Sequence, residues 1–257
     1  MKHNILLAFS FAKRDFRERY VDTGLGQFWY ILSPLVMIFI YSVIFSDFMK
    51  MKQNIIDNSY AYSIYLIPGL LAWTSFSTII MRLNSSFIDK SNLIKKISVP
   101  MYTFQLSIIL TELFLFSIAI SLALIFLFIV NQPITLTFLW LIPIMILQTL
   151  FAFGLGVILS LFTPFFKDLK EVVPIIIQLW FWMTPIIYMA SMIENKYPAL
   201  LIYNPFYYFI KVYQDIFLYS KAPAFDKVGL MLLMTTITIL VAGYLYKKMV
   251  STIKDII

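Results

Sequence analysis

An all-α membrane protein with about six transmembrane helices is what this sequence predicts, and three observations predict it. Residues 28–45 carry no charged side chain, and neither do residues 113–163. A helix needs about 20 apolar residues to cross a hydrocarbon core of about 30 Å, so the second run is long enough to cross twice. The 257-residue chain is 61% hydrophobic and 13% charged, whereas soluble domains are about 45–50% apolar and about 25% charged. Its aromatic share, 18%, exceeds what two interfacial belts of Trp and Tyr require.

The elements follow in order within a single transmembrane domain, 1–257. Residues 1–22 read as an interfacial helix. Ile5, Phe9, Ala12, Phe16 and Tyr20 recur at helical spacing, with Lys13, Arg14 and Arg17 off that stripe. A basic amphipathic helix ahead of a spanning segment lies in the membrane interface; the alternative is a solvated helix. The string Asp22-Thr23-Gly24-Leu25-Gly26 breaks it. Spans are expected at about 28–48, 60–81, 103–130, 135–162, 172–190 and 228–246 from the length each crossing needs. Pro34 lies in the first, Pro68-Gly69 marks a kink in the second, and Pro174 and Pro185 lie in the fifth. Lys50, Lys52 and Asp57 belong to a short polar loop, and Asn131-Gln132-Pro133 is a tight turn. Residues 82–100 and 164–171 are charged connections on one side. Residues 191–226, polar and aromatic together, read as short helices that dip into the membrane, which is tolerated only where protein or water satisfies the backbone. An outer surface helix is the alternative.

Orientation follows from lysine and arginine. The segments expected on the N-terminal side carry 14 of them and the opposite loops 6, which places both termini in the cytoplasm. The net charge of +7 is then mostly this bias plus attraction to anionic lipid, not a footprint for nucleic acid.

Several chemistries are excluded. Cys is absent and His3 is the single histidine, so thiolate catalysis and Cys/His metal sites have no residues to use. No Gly is followed by Lys, so there is no phosphate-binding loop and no ATP hydrolysis in this chain. Glu112 is the clear acid within a span; it is expected to be paired or close to the interface. What remains is a spanning domain without an engine, suited to a permease driven by a separate ATPase.

Specific strings carry a family resemblance. Arg14-Asp15-Phe16-Arg17-Glu18-Arg19-Tyr20 and Leu25-Gly26-Gln27-Phe28-Trp29-Tyr30-Ile31-Leu32-Ser33-Pro34-Leu35 resemble the amino-terminal pattern of ABC exporter permeases for polysaccharides, which include the O-antigen, capsule and teichoic acid exporters. Asn92-Leu93-Ile94-Lys95-Lys96-Ile97-Ser98-Val99-Pro100 is similar to that family's cytoplasmic loop. Phe165-Phe166-Lys167-Asp168-Leu169-Lys170 with Trp180-Phe181-Trp182-Met183-Thr184-Pro185-Ile186, and then Tyr203-Asn204-Pro205-Phe206, resemble its fourth loop, fifth span and outer re-entrant region. Val99 and Lys167 depart from the commoner residues of the pattern.

The resemblance implies a homodimeric channel in the cell inner membrane, paired with two nucleotide-binding subunits that hold ATP and Mg, and moving a lipid-linked polysaccharide on an undecaprenyl-type carrier. No cofactor is expected in this chain. Aromatic rings give weak, replaceable contacts to sugar C–H faces, as conduction requires; Trp29, Tyr30, Tyr41, Trp180, Trp182 and Tyr188 are the candidate lining residues. Asn92, Leu93, Lys95 and Lys96 are expected to dock on the ATPase. Arg14, Arg17 and Arg19 are expected near lipid phosphates or the substrate's pyrophosphate, and Gly24, Leu25 and Gly26 to form a gate. The rival readings are a teichoic acid or capsule exporter, a membrane enzyme acting on lipid-linked sugars, and a drug or small-lipid permease of the same build.

Overall fold

The computed structural model describes residues 2–19, 21, 23–47, 58–96 and 99–256. The expected polar loop with Lys50, Lys52 and Asp57 lies outside the described residues, as do Tyr20, Asp22, Ile97 and Ser98. The described chain is α-helical: α1 (Lys2–Glu18), α2 (Trp29–Asp47), α3 (Ala61–Asp89), α4 (Ser91–Lys96), α5 (Tyr102–Ile129), α6 (Leu141–Phe162), α7 (Leu169–Met183), α8 (Ser191–Glu194), α9 (Pro198–Ile202), α10 (Tyr207–Tyr219) and α11 (Phe225–Ile256). Short 3-10 turns, Gly26–Phe28 and Leu136–Trp140, lead into α2 and α6.

Among the described residues, five helical stretches are long and apolar enough to cross a membrane: Gly26–Ile44, Ala61–Asp89, Tyr102–Ile129, Leu136–Phe162 and Phe225–Lys254. The expected fifth helical span, 172–190, is not among them. α7 has 15 residues, about 22 Å at 1.5 Å per residue. It stops because Pro185 follows Thr184: the residue before a proline is pushed out of the helical region, and Thr184 is extended at φ −102° and ψ 128°. Beyond it the chain continues without helix, and side chains satisfy its carbonyls. Tyr62 donates to Ile187 O at 2.7 Å, Tyr65 to Pro185 O and Tyr188 O at 3.2 and 2.9 Å, and Gln214 Nε2 to Pro185 O at 3.2 Å. Irregular backbone at this depth survives because protein supplies those donors.

The second expected span also needs correction. Arg82 does not begin a loop: α3 runs on to Asp89, so within 82–100 only Ser91–Lys96 forms a separate short helix.

α3 is the axis of the bundle, buried along nearly its whole length and packed by α2, α5, α6, α7 and α10. Ring contacts set the directions of the outer helices. Trp140 meets Phe225 at 6.2 Å at one end of the α6–α11 pair, and Tyr102 meets Tyr246 at 6.4 Å at the end shared with α1. We call the second end the near side and the first the far side. On the near side α1 lies across the start of α5, with Phe11 stacked on Phe104 at 5.0 Å and Ala8 and Ala12 buried. Phe9, on the expected apolar stripe, points away from the bundle, as Leu6 does, leaving an apolar edge suited to an interface.

Small residues let helices close on α6. A Cβ on Gly154 would stand 2.7 Å from Thr238 Oγ1 on α11, and one on Gly156 2.6 Å from Leu83 Cδ1 on α3. Spanning helices associate through such close packing. Gly154→Val is expected to lower stability by about 1–3 kcal/mol, the usual cost of overpacking, measured as a lower melting temperature of the purified protein in one fixed detergent.

Candidate functional site

The near side holds a charged cluster at the meeting of three elements. Arg82 on α3 donates from Nη1 to Glu112 Oε1 on α5 at 2.6 Å, and from Nη2 to both carboxylate oxygens of Asp15 on α1 at 2.7 Å. Arg19, one residue beyond the end of α1, donates to the same Glu112 oxygen, and its guanidinium lies 5.8 Å from the Tyr30 ring centroid. The Glu112 side chain is 5% exposed and the other three are 19–26% exposed. Two cations and two anions cancel, so charges that would be costly at this depth are each paired. Glu112 is thus a paired acid. Arg19, expected near lipid phosphates or the substrate's pyrophosphate, is partnered through Nη2 by Glu112 and also lines the adjoining groove.

Beside this cluster a groove of about 160 Å³ opens between α2, α3 and α5. Arg19, Glu112 and Trp29 stand on its wall, with Ser33, Thr74, Ser75 and Thr78. Thr74 donates back to Leu70 O, whereas the buried Ser75 hydroxyl has no partner among the described residues. An Arg19–Glu112 pair, an indole and neighbouring hydroxyl side chains can hold the hydroxyls and ring oxygens of a polar headgroup.

The six expected lining aromatics do not share one surface. Trp29 and Trp182 are exposed, 37% and 58%. Tyr30 walls the groove but is otherwise buried: it stacks on Phe16 at 4.4 Å and its hydroxyl donates to Phe16 O at 2.8 Å. Tyr41 is half-buried against the core, its carbonyl accepting from Ser63 Oγ at 3.0 Å. Tyr188 is half-buried and donates to Trp182 O at 2.9 Å. Trp180 is half-buried against the core, edge-on to Phe76 at 5.3 Å and to Trp73 at 6.1 Å. Its Nε1 donates to Asn204 Oδ1 at 2.9 Å.

Asn204, for which sequence reasoning gave no role, ties the dip together. Its Oδ1 also accepts from the backbone N–H of Phe206 and Tyr207, and its Nδ2 donates to Thr184 Oγ1 at 2.8 Å. Phe206 then stacks on Phe76 at 3.9 Å, level with the middle of α3. From there α10 climbs to the far side, where Gln132 Nε2 donates to Leu218 O at 3.1 Å. The Asn204-Pro205 pair was the available signal, since Asn before Pro initiates turns.

The remaining expected residues are scattered on the near side. Arg14 pairs with Glu18 at 3.4 Å and lies over Phe11, while Arg17 is exposed. In α4, Ile94 packs on the bundle, Asn92 and Lys95 are exposed, Leu93 is half-buried and Lys96 is the last residue. The 163–171 connection is held against the end of α3. Thr163 Oγ1 donates to Asn84 Oδ1 at 2.6 Å, Asn84 Nδ2 to Leu169 O at 3.0 Å, and Lys170 pairs with Asp89 at 2.8 Å.

A family model for the ABC-2 type transporter matches residues 7–218, from α1 nearly to the end of α10. The chain belongs to the ABC-2 type transporter family. As such it is a multi-pass membrane subunit of a transporter and not an enzyme. It is similar to two proteins of Klebsiella pneumoniae named O-antigen export system permease protein RfbA, each 29% identical over 223 residues and covering 85% of this chain and 84% of the relative. A Myxococcus xanthus protein of the same name is 26% identical over 219 residues, covering 84% and 82%.

In this ABC-2 chain Gly24, Leu25 and Gly26 link α1 to α2. Gly26 has φ +52° and open space where a Cβ would stand, so a side chain there meets backbone strain and not a clash. Gly26→Val is expected to lower export strongly and Gly26→Asn far less, because Asn tolerates the left-handed region; surface-glycan amounts in complemented cells measure it.

Proposed function

We propose that this chain is the channel-forming subunit of an ABC transporter that exports an O-antigen-type polysaccharide, lipid-linked on an undecaprenyl-type carrier, across the cell inner membrane. The observation that carries the reading is similarity to O-antigen export permeases over more than four-fifths of both chains. In this reading two copies pair, two ATPase subunits bind ATP and Mg, and this chain holds no cofactor.

Both termini lie in the cytoplasm, as the excess of lysine and arginine on the near side favours. The ATPase docks on the near side, at α4. Asn92 and Lys95 stand free there, next to a 163–171 connection pinned to the end of α3. Arg14 and Arg17 contact lipid phosphates, and the headgroup of the lipid-linked glycan enters by the groove beside Arg19 and Trp29. Trp182 contributes to the conduit from the exposed face of α7, beside Ile175 and Leu179.

The test is affinity purification of the permease from its own cell. An ATPase subunit is expected to co-purify, and its hydrolysis rate to change on adding lipid-linked glycan. Purification of the intact permease with no ATPase bound would remove this function.

A further inference from the structure

A cavity of about 420 Å³ opens between the α8–α9 segment, α10 and the start of α11, within the range of about 300–1,000 Å³ usual for small-molecule sites. Its walls carry the Tyr207 and Tyr208 rings, 5.9 Å apart, and the charged residues Glu194, Lys211, Asp215, Lys221 and Lys227. Depth decides what it can hold. α10 starts beside Phe206, level with the middle of α3, and ends at the far side. The cavity follows α10 outward from near that start. Ionised groups at such depth face water or one another, not lipid. Lys211 and Asp215 pair at 2.7 Å. Glu194 and Lys221 have no ion-pair partner among the described residues, and the Tyr207 hydroxyl has no hydrogen-bond partner there.

The site therefore offers an acceptor and a donor outside any ion pair among the described residues, a hydroxyl that serves as either, and the Tyr207 ring face. One face of the Tyr208 ring is taken by the Lys227 ammonium at 5.5 Å. A sugar ring presents the complement: hydroxyls around its rim and C–H groups on its faces. A phospholipid has no ring face to offer, and its acyl chains would have to lie along charged walls. We infer that this cavity binds one saccharide unit of the exported glycan on the outward side of the membrane. The inference rests on the glycan-export reading and adds to it a subsite away from the near-side groove.

The experiment uses the purified permease–ATPase complex in lipid nanodiscs. The probe is O-polysaccharide fragments freed by mild acid from the lipopolysaccharide of the same cell, and binding is titrated by saturation-transfer NMR. Glu194→Gln with Lys221→Gln, and separately Tyr207→Leu, are expected to raise the fragment Kd at least ten-fold. The first pair breaks no ion pair, and an unchanged melting temperature checks that both variants fold. A Kd within two-fold of the parent in folded variants, or no fragment binding to the parent, overturns the subsite. Displacement of bound fragments by dihexanoylphosphatidylethanolamine makes the cavity a headgroup pocket and also overturns it. Surface glycan is scored in parallel. If deleting the chain leaves it intact, the export reading fails; if deletion abolishes it while the variants bind fragments normally, only the subsite fails.

Discussion

Glu112→Gln is expected to destabilise the protein by about 3–5 kcal/mol, the cost of leaving buried charge without its partner. Arg82 and Arg19 both donate to one oxygen of that carboxylate. With an amide in its place, two guanidinium groups would face each other with Asp15 alone to balance them. The cluster joins α1, α3 and α5, so the effect is not confined to one helix. α1 should lift from the start of α5, where Phe11 and Phe104 now stack. α3 carries Arg82 seven residues before its end and leads directly into α4. A loosened cluster should therefore break the link between α4 and α1 and abolish export. Melting temperature in a fixed detergent and surface glycan in complemented cells measure the two effects. Replacing all four cluster members, Asp15, Arg19, Arg82 and Glu112, by Met should be milder in stability than Glu112→Gln, because apolar groups of similar volume leave no bare charge in the cluster. A quadruple variant as unstable as the single one would show that charge pairing is not what the single substitution disturbs.

The second large effect is expected at Asn204. Asn204→Leu removes the acceptor for the Trp180 indole N–H and for the N–H groups of Phe206 and Tyr207, and the donor to Thr184. The Tyr207 N–H keeps the residue-204 carbonyl and the Thr184 hydroxyl keeps Trp180 O, so the Trp180 indole and the Phe206 N–H are the groups left bare; at about 1–3 kcal/mol each, a loss of at least about 2 kcal/mol is expected. Trp180→Phe removes one of these bonds and keeps most of the ring packing, and should cost less than half as much. The dip between α9 and α10 should open first, since Asn204 is what turns the chain there. Hydrogen exchange on α10, compared between the two variants, reads this directly: fast exchange throughout α10 in Asn204→Leu, near-parent protection in Trp180→Phe.

Much of the fold was legible because lipid imposes strong rules on a chain. The first, third, fourth and last spans lie within a few residues of the expected bounds, apart from a last helix that runs on to Ile256. Their positions depend on the length of uncharged sequence, a local property. The fifth expected span, 172–190, is helical only to Met183 for a reason also present in the sequence: Thr184-Pro185 ends α7, and hydropathy alone passes over that pair. The second span was cut at Arg82 on the assumption that a charge ends a crossing helix, whereas α3 continues beyond it.

The candidate site was less legible. Aromatic residues were chosen by type and span, but type does not say which face of a helix meets the core. Trp180 and Trp182 are two residues apart on α7, and one is fastened to Asn204 while the other is exposed. The arginines of the N-terminal strings were grouped by proximity in sequence, yet Arg17 is exposed and Arg19 is clasped by an acid 93 residues away.

By itself the sequence determined that the chain is a helical membrane protein with no Gly-Lys phosphate-binding loop, because run length, charge asymmetry and residue strings are read along the chain and do not depend on how it folds. Tertiary structure alone decided which charges neutralise one another, which rings are struts and which are free, and where unwound backbone finds its donors. Those are pairings between residues distant in sequence, and only the packing of α1, α3, α5, α7 and α10 brings them within hydrogen-bond reach.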